Sequence, residues 1–150
     1  MKITDIINKD LISLELSGNT KQSIISEMIG MLKAQGLLNN EAEFEKAIYA
    51  REEVSSTGIG MGIAIPHAKT DAVKTPSLVF GLKKQAVDWE SIDDEPANLF
   101  FMIAVPEASA SNDHLVILTQ LSRKLIDDEF REKLMNASSK EEVLELLGTI

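Results

Sequence analysis

The 150 residues contain no cysteine, and histidine (two), tryptophan (one), tyrosine (one) and proline (four) are scarce. Without cysteine there is no disulfide framework, thiolate zinc site, iron–sulfur cluster or cysteine nucleophile, an absence compatible with a reducing compartment. Long apolar runs are missing too. The longest, Leu99 to Val105, has seven residues, far short of the roughly 20 a membrane helix needs. Met1-Lys2-Ile3-Thr4-Asp5 does not combine a basic stretch with an apolar one as a secretory signal does. No membrane insertion and a cytoplasmic location are therefore expected. Positive charge is also in deficit: 15 Lys and Arg against 24 Asp and Glu give a net charge of −9. That balance argues against a nucleic-acid partner, which needs clustered cations, and leaves open a basic protein partner steered by complementary charge.

What is present suits one domain spanning residues 1–150, because domains run to about 100–200 residues. Ile12, Leu14 and Leu16 alternate with Ser13 and Glu15 and predict a short half-buried strand. Asn19 or Thr20 caps a helix carrying Ile24, Ile25, Met28, Ile29 and Leu32 on one face, closed by Gly36. Asn40 and Glu43 mark the start of a second helix, with Phe44, Ala47, Ile48 and Arg51 on one face. Gly58, Gly60 and Gly62 precede a brief strand, Ile63 to Ile65, ended by Pro66.

Ser77 to Leu82 and Leu99 to Val105 read as strands, the second apolar throughout and therefore central in a covered sheet. Val87 and Trp89 suggest a shorter strand between them. After a loop from Pro106 to Ser111, a helix places Leu115, Leu118, Leu121, Ser122 and Leu125 on one face. Another starts near Asp127 or Asp128 and carries Phe130 and Leu134, and a last one has Ser138 with Glu141 as its capping box. Helices on either side of a strand cluster make an α/β protein, a three-layer α/β/α sandwich around a mixed sheet.

Chemistry concentrates at the two histidines. His67 directly follows Pro66 and the glycine-rich turn, whose backbone can approach a ligand and whose N–H groups can receive an anion. His114 opens the helix after Asn112-Asp113, where the positive end of the helix dipole favours its neutral form and spare N–H groups suit a phosphate or carboxylate. Arg51 can grip an anion bidentately. Taken alone, the glycines read equally well as a tight turn, each histidine as an ordinary surface or core residue, and Arg51 as a helix-face charge beside Glu52 and Glu53. Two-histidine zinc helices, a Walker loop and a Gly-x-Ser-x-Gly elbow are all missing. No metal or other cofactor is expected.

The stretch from Glu52 through Ser55-Ser56-Thr57-Gly58-Ile59-Gly60 to Ile63-Ala64-Ile65-Pro66-His67-Ala68 adds a specific signature. It has an acidic residue fifteen positions before the histidine, Ile-Gly eight and seven before it, and Ile-Ala-Ile-Pro-His-Ala at its end. This resembles the active-site motif of fructose/mannitol-type IIA domains of the bacterial phosphoenolpyruvate-dependent sugar phosphotransferase system. The resemblance extends over nearly the whole chain and implies the same three-layer fold.

It further implies a cytoplasmic phosphoryl carrier. His67 would accept a phosphoryl group, usually on Nε2, from the phosphocarrier protein HPr and pass it to a IIB component, commonly onto a cysteine. IIB phosphorylates sugar during uptake through the membrane IIC domain, so the acceptor cysteine and the membrane helices are expected outside these 150 residues. His114 and Arg51 match the family's second histidine and arginine and would stabilise the phosphoryl group, with Ser56, Thr57, Gly58 and Gly60 as candidate phosphate contacts. The chain departs from the pattern at Met61, where many relatives carry a polar or acidic residue; Ser56, Thr57 or backbone would serve instead. The Ser-Ser-Thr-Gly-Ile-Gly run points to the fructose branch. The alternative is a nitrogen-branch IIA protein, a regulator that binds partners according to its phosphorylation state.

Overall fold

A computed structural model describes residues 2–108 and 113–150, without the side chains of Asp113 and His114. Short 3₁₀ turns, Ile3–Asp5 and Lys9–Leu11, lead into a two-residue strand β1 (Ile12–Ser13). Then come α1 (Lys21–Ala34), α2 (Glu41–Val54), β2 (Gly58–Gly60), β3 (Ile63–Ala64) and β4 (His67–Lys69). The long strands β5 (Ser77–Val87) and β6 (Ala97–Val105) follow, and α3 (Asp113–Leu125), α4 (Asp128–Met135) and α5 (Lys140–Leu147) complete the order. Among the described residues the strands form one six-stranded sheet in the order β1-β5-β6-β3-β2, with β4 also on β6. It is mixed: β5 runs antiparallel to β6 and β2 to β3, whereas β1 runs parallel to β5 and both β3 and β4 parallel to β6.

β6 is the middle of the sheet, as its apolar sequence requires, and only Asn98 of its nine residues is not fully buried. Successive residues point to opposite faces. Phe101 meets Phe80 edge-on at 5.2 Å between ring centres, while Phe100 meets Trp89 at 5.1 Å. Both faces therefore need cover. One group of helices, α1 and α2, packs on β5 and β4; a second group packs through α3 and α4 on β6 and through α5 on β1, giving three layers. Gly81 marks the tight approach between sheet and loop, since a Cβ there would stand 2.4 Å from Leu16 Cδ1.

The local hydrogen-bonding signals hold. Thr20 caps α1, its hydroxyl accepting from the Ser23 N–H while Ser23 Oγ accepts from the Thr20 N–H, and Gly36 takes φ +68° just after the helix. Asn40 caps α2 by accepting from the Glu43 N–H. Four details differ from the sequence expectation. The strand expected through Leu16 stops at Ser13, although the Leu16 N–H still donates to the Leu82 carbonyl. Trp89 belongs to no strand: β5 runs unbroken to Val87, and the indole turns into the core beside Phe100. The last helix is capped one residue later, by Ser139 accepting from the Glu142 N–H, because Glu141 points instead to Lys9 at 2.7 Å. On α3 the buried face is Ile117, Leu121 and Leu125, with Leu115 about half exposed, so the helix is rotated from the expected face. The loop expected from Pro106 to Ser111 lies partly outside the described residues.

Candidate functional site

The site grows from a break in one strand. Ile63 and Ala64 pair with Leu99 and Phe100, and His67 to Lys69 pair with Ile103 to Val105 on the same central strand. Pro66, which lacks an N–H, separates the two runs; its carbonyl accepts from the Ile103 N–H at 3.0 Å, so the chain stays on β6 while Ile65 is freed from the ladder. The freed Ile65 N–H donates to the Thr57 carbonyl at 2.9 Å. The Ile65 carbonyl turns to the ring of the half-buried His67, 2.8 Å from Nδ1.

That last contact assigns the tautomer. A carbonyl oxygen only accepts, so Nδ1 carries the proton and donates it, and in the neutral ring the lone pair resides on Nε2. The local order Ile65-Pro66-His67 thus produces an imidazole whose nucleophilic atom is chosen by its own backbone two residues away.

Arg51 lies in the last turn of α2, the helix that packs against β4. Its Nη1 donates to the Ser55 carbonyl at 2.9 Å, placing a cation on the negative end of the helix. The guanidinium therefore caps its own helix rather than pairing with Glu52 or Glu53. His114 is the second residue of α3, which packs on β6 beside β4, so the backbone bears out the expected helix-start position. Its side chain lies outside the described residues, as does any contact it makes.

Ser56 and Thr57 have other partners than an incoming phosphate. Ser56 Oγ donates to the Trp89 carbonyl at 2.6 Å and accepts from the Gly58 N–H at 3.0 Å. The Thr57 hydroxyl, 3% exposed, donates to Glu52 Oε2 and accepts from the Trp89 indole N–H at 3.0 Å. The Thr57 N–H also donates to Glu52 at 3.3 Å, and Lys21 Nζ stands 2.8 Å from the same carboxylate and 5.5 Å from the Trp89 ring centre. The Glu52 side chain is only 5% exposed, and Thr57 and Lys21 give it the hydrogen bonds and the opposite charge that a carboxylate so enclosed requires. Both hydroxyls expected at the phosphate are engaged in hydrogen bonds of their own.

The glycines likewise have close neighbours of their own. A Cβ on Gly58 would meet Ser91 Cα at 2.9 Å, so this glycine permits close packing, and its N–H is taken by Ser56. Gly60, Met61 and Gly62 turn the hairpin with φ of +94°, +59° and +75°. The anion received there is the chain's own: Asp93 accepts from the Met61 N–H and from the Glu95 N–H, both at 3.0 Å. These two backbone donors, Glu95 first and Met61 second, hold the Asp93 carboxyl below its ordinary pKa. Gly60 pairs with Ile63, four register positions along β6 from His67, which is roughly 13 Å.

The sequence pattern places Glu52 in the motif and beside Arg51, and Trp89 in a strand, but gives no site role to Glu52, Lys21, Trp89 or Asp93. Two signals point to them. A lysine in the first turn of a helix opposes the dipole, so Lys21 needs a specific anion, and a buried tryptophan N–H needs an acceptor. Among the described residues no three His, Asp or Glu side chains gather as metal ligands, and no helix is long and apolar enough to cross a membrane.

Fold and site together define a class: a three-layer α/β protein that offers one tautomer-fixed histidine from a strand of its central sheet. Residues 5–149 match the family described as phosphoenolpyruvate-dependent sugar phosphotransferase system, EIIA 2. The chain is 44% identical over 148 residues to the fructose-specific EIIABC component of Bacillus subtilis, covering 99% of this chain and 23% of that protein. It is 40% identical to the fructose-specific EIIA component of Haloferax volcanii, across 100% of this chain and 99% of the relative. Among solved structures, the nitrogen regulatory protein IIA-Ntr of Neisseria meningitidis superposes with a TM-score of 0.89 at 32% identity, over 97% of this chain and 98% of that one. Mannitol enzyme IIA of Escherichia coli, solved in complex with phosphorylated mannitol enzyme IIB, gives 0.82 at 28% identity over 96% and 98%. The chain belongs to the EIIA 2 family of the phosphoenolpyruvate-dependent sugar phosphotransferase system.

Proposed function

We propose that this chain is a phosphoryl carrier of the fructose type, a single domain over residues 1–150 that works in the cytoplasm with HPr as donor and a IIB component as acceptor. The observation that carries the reading is the hydrogen bond from His67 Nδ1–H to the Ile65 carbonyl at 2.8 Å. It leaves Nε2 ready to attack phosphorus without first losing a proton. As the N–P bond of phospho-HPr breaks, an N–P bond forms at His67 Nε2, and the Nδ1 proton stays where it is. Passage to IIB reverses the step: the acceptor attacks, and the electron pair returns to Nε2.

Phosphoryl transfer passes through a loose transition state, so the site has to position and balance charge rather than supply covalent help. Arg51 contributes a cation from the end of α2, and His114 a ring and N–H groups from the first turn of α3. Ser56, Thr57, Gly58 and Gly60 support the site through the packing of β2 instead of through direct contact. The fructose assignment is supported by the two relatives at 44% and 40% identity.

The test is transfer of labelled phosphate from phospho-HPr to the chain and onward to a panel of IIB components. His67→Ala is expected to take no label, and a fructose IIB to be the preferred acceptor. Labelling of His67→Ala at the wild-type level would refute the site. A second reading, the regulatory nitrogen branch, is favoured by the 0.89 superposition on IIA-Ntr. Transfer to no IIB, with partners retained only by one phosphorylation state, would establish it instead.

A further inference from the structure

We propose that Glu52 is a positioning residue that sets the tautomer of His67 through an unbroken series of hydrogen bonds. The series starts at the buried ion pair between Lys21 and Glu52. Glu52 grips Thr57 at both its hydroxyl and its N–H, and the indole N–H of Trp89 holds the same hydroxyl from the other side. Thr57 is thereby fixed in place, and its carbonyl accepts from the Ile65 N–H at 2.9 Å. The opposite end of Ile65 is the carbonyl that accepts from His67 Nδ1–H at 2.8 Å. Each link is a direct contact: Lys21 from α1 and Glu52 from α2 converge on Thr57, in the turn just before β2, and Thr57 holds the residue whose carbonyl orients the ring.

The geometry explains why Ile65 needs such support. Because Pro66 breaks the pairing between β3 and β4 on β6, the ladder no longer dictates where the Ile65 carbonyl points. Thr57 is its external anchor, and Glu52 anchors Thr57. The tautomer also needs support, since free imidazole in histidine favours the proton on Nε2, the atom that must be bare for attack. A weaker hold on Ile65 therefore returns the ring toward the unreactive tautomer, with Nε2 protonated. Glu52 touches neither the phosphoryl group nor His67. It acts by fixing a peptide, and the inference rests on His67 being the acceptor.

The experiment uses the unphosphorylated full chain with 15N-labelled histidine, and compares wild type, Glu52→Gln and Thr57→Val. In wild type the His67 spectrum should show a protonated Nδ1 and an unprotonated Nε2. In both variants the balance should shift toward protonated Nε2. The kcat for phosphorylation by phospho-HPr should fall about fivefold, the effect of one hydrogen bond's net worth, with KM unchanged because the docking surface is intact. Thr57→Val keeps the side-chain volume and the Lys21–Glu52 pair, so it gives the answer if Glu52→Gln, which leaves Lys21 only the more distant Glu90 at 3.9 Å, fails to fold. Lower melting temperatures with an unaltered tautomer and an unaltered kcat would overturn the proposal and leave the network purely structural. Failure of wild type to accept phosphate would instead refute the carrier reading, while the tautomer comparison would still stand by itself.

Discussion

Replacing Gly60 by alanine separates two roles that the sequence leaves joined. If Gly60 lends its backbone to phosphate, the variant should be stable and slow; if the structure is right, it should be unstable and fast. Its φ of +94° is a conformation that costs an L-residue about 1–2 kcal/mol. The new Cβ would also stand 3.0 Å from Asp93 Oδ2 and 3.2 Å from its Cγ, so the carboxylate that accepts from the Met61 N–H must give by a few tenths of an ångström. For a chain of this size each 1 kcal/mol is about 2–4 °C in Tm, so Gly60→Ala should melt about 2–8 °C below wild type. Thermal unfolding followed by circular dichroism measures this. Phosphorylation by phospho-HPr, assayed well below the transition, should stay within about twofold of wild type, because Gly60 lies roughly 13 Å along the sheet from His67. An unchanged Tm with a tenfold slower transfer would refute the reasoning and return Gly60 to the phosphate site.

Met61, with φ +59°, should be improved by Met61→Asn, since asparagine tolerates the left-handed region; a gain of about 0.5–1 kcal/mol in urea unfolding is expected, and none would show that the turn stores no strain. Asp93 has a folded pKa below its unfolded value of about 3.8, so its contribution to stability is complete above that pH and drains away as pH falls through the folded value. Acid unfolding of Asp93→Asn should accordingly show a shallower loss of stability below about pH 4, and curves of equal slope would count against the Met61 and Glu95 contacts. Arg51→Lys should slow transfer about tenfold with little change in Tm, as an ammonium cannot span the Ser55 carbonyl and a phosphoryl oxygen together; a wild-type rate would remove Arg51 from the site.

The parts of the fold legible in the sequence are those decided within a few residues. Of the two caps offered, Asn19 or Thr20, the helix uses Thr20; Asn40 with Glu43 and Gly36 just past its helix also act over a single turn, as their sequence positions imply. β6 was legible because apolar residues on both faces have only one home, the middle of a covered sheet. What escaped was set by distant partners. Glu141 was taken for a cap because nothing local reveals Lys9, which lies at the other end of the chain. The glycines' spacing fits a tight turn and an anion site equally well, since it shows that backbone is accessible but not that Ser91 and Asp93 stand against it. Ser56 and Thr57 looked available because Trp89, more than thirty residues on, is invisible from their position. His67 itself was found by its motif, and the structure adds what no motif contains: which nitrogen holds the proton, and what holds the carbonyl that keeps it there.

The central claim is that His67 attacks through Nε2. Phosphorylating the 15N-histidine-labelled chain with phospho-HPr and recording 15N and 31P spectra tests it directly. The account predicts one phosphohistidine, at position 67, with phosphorus coupled to Nε2 and the proton retained on Nδ1. Phosphorus on Nδ1 of His67, or on His114, would contradict it.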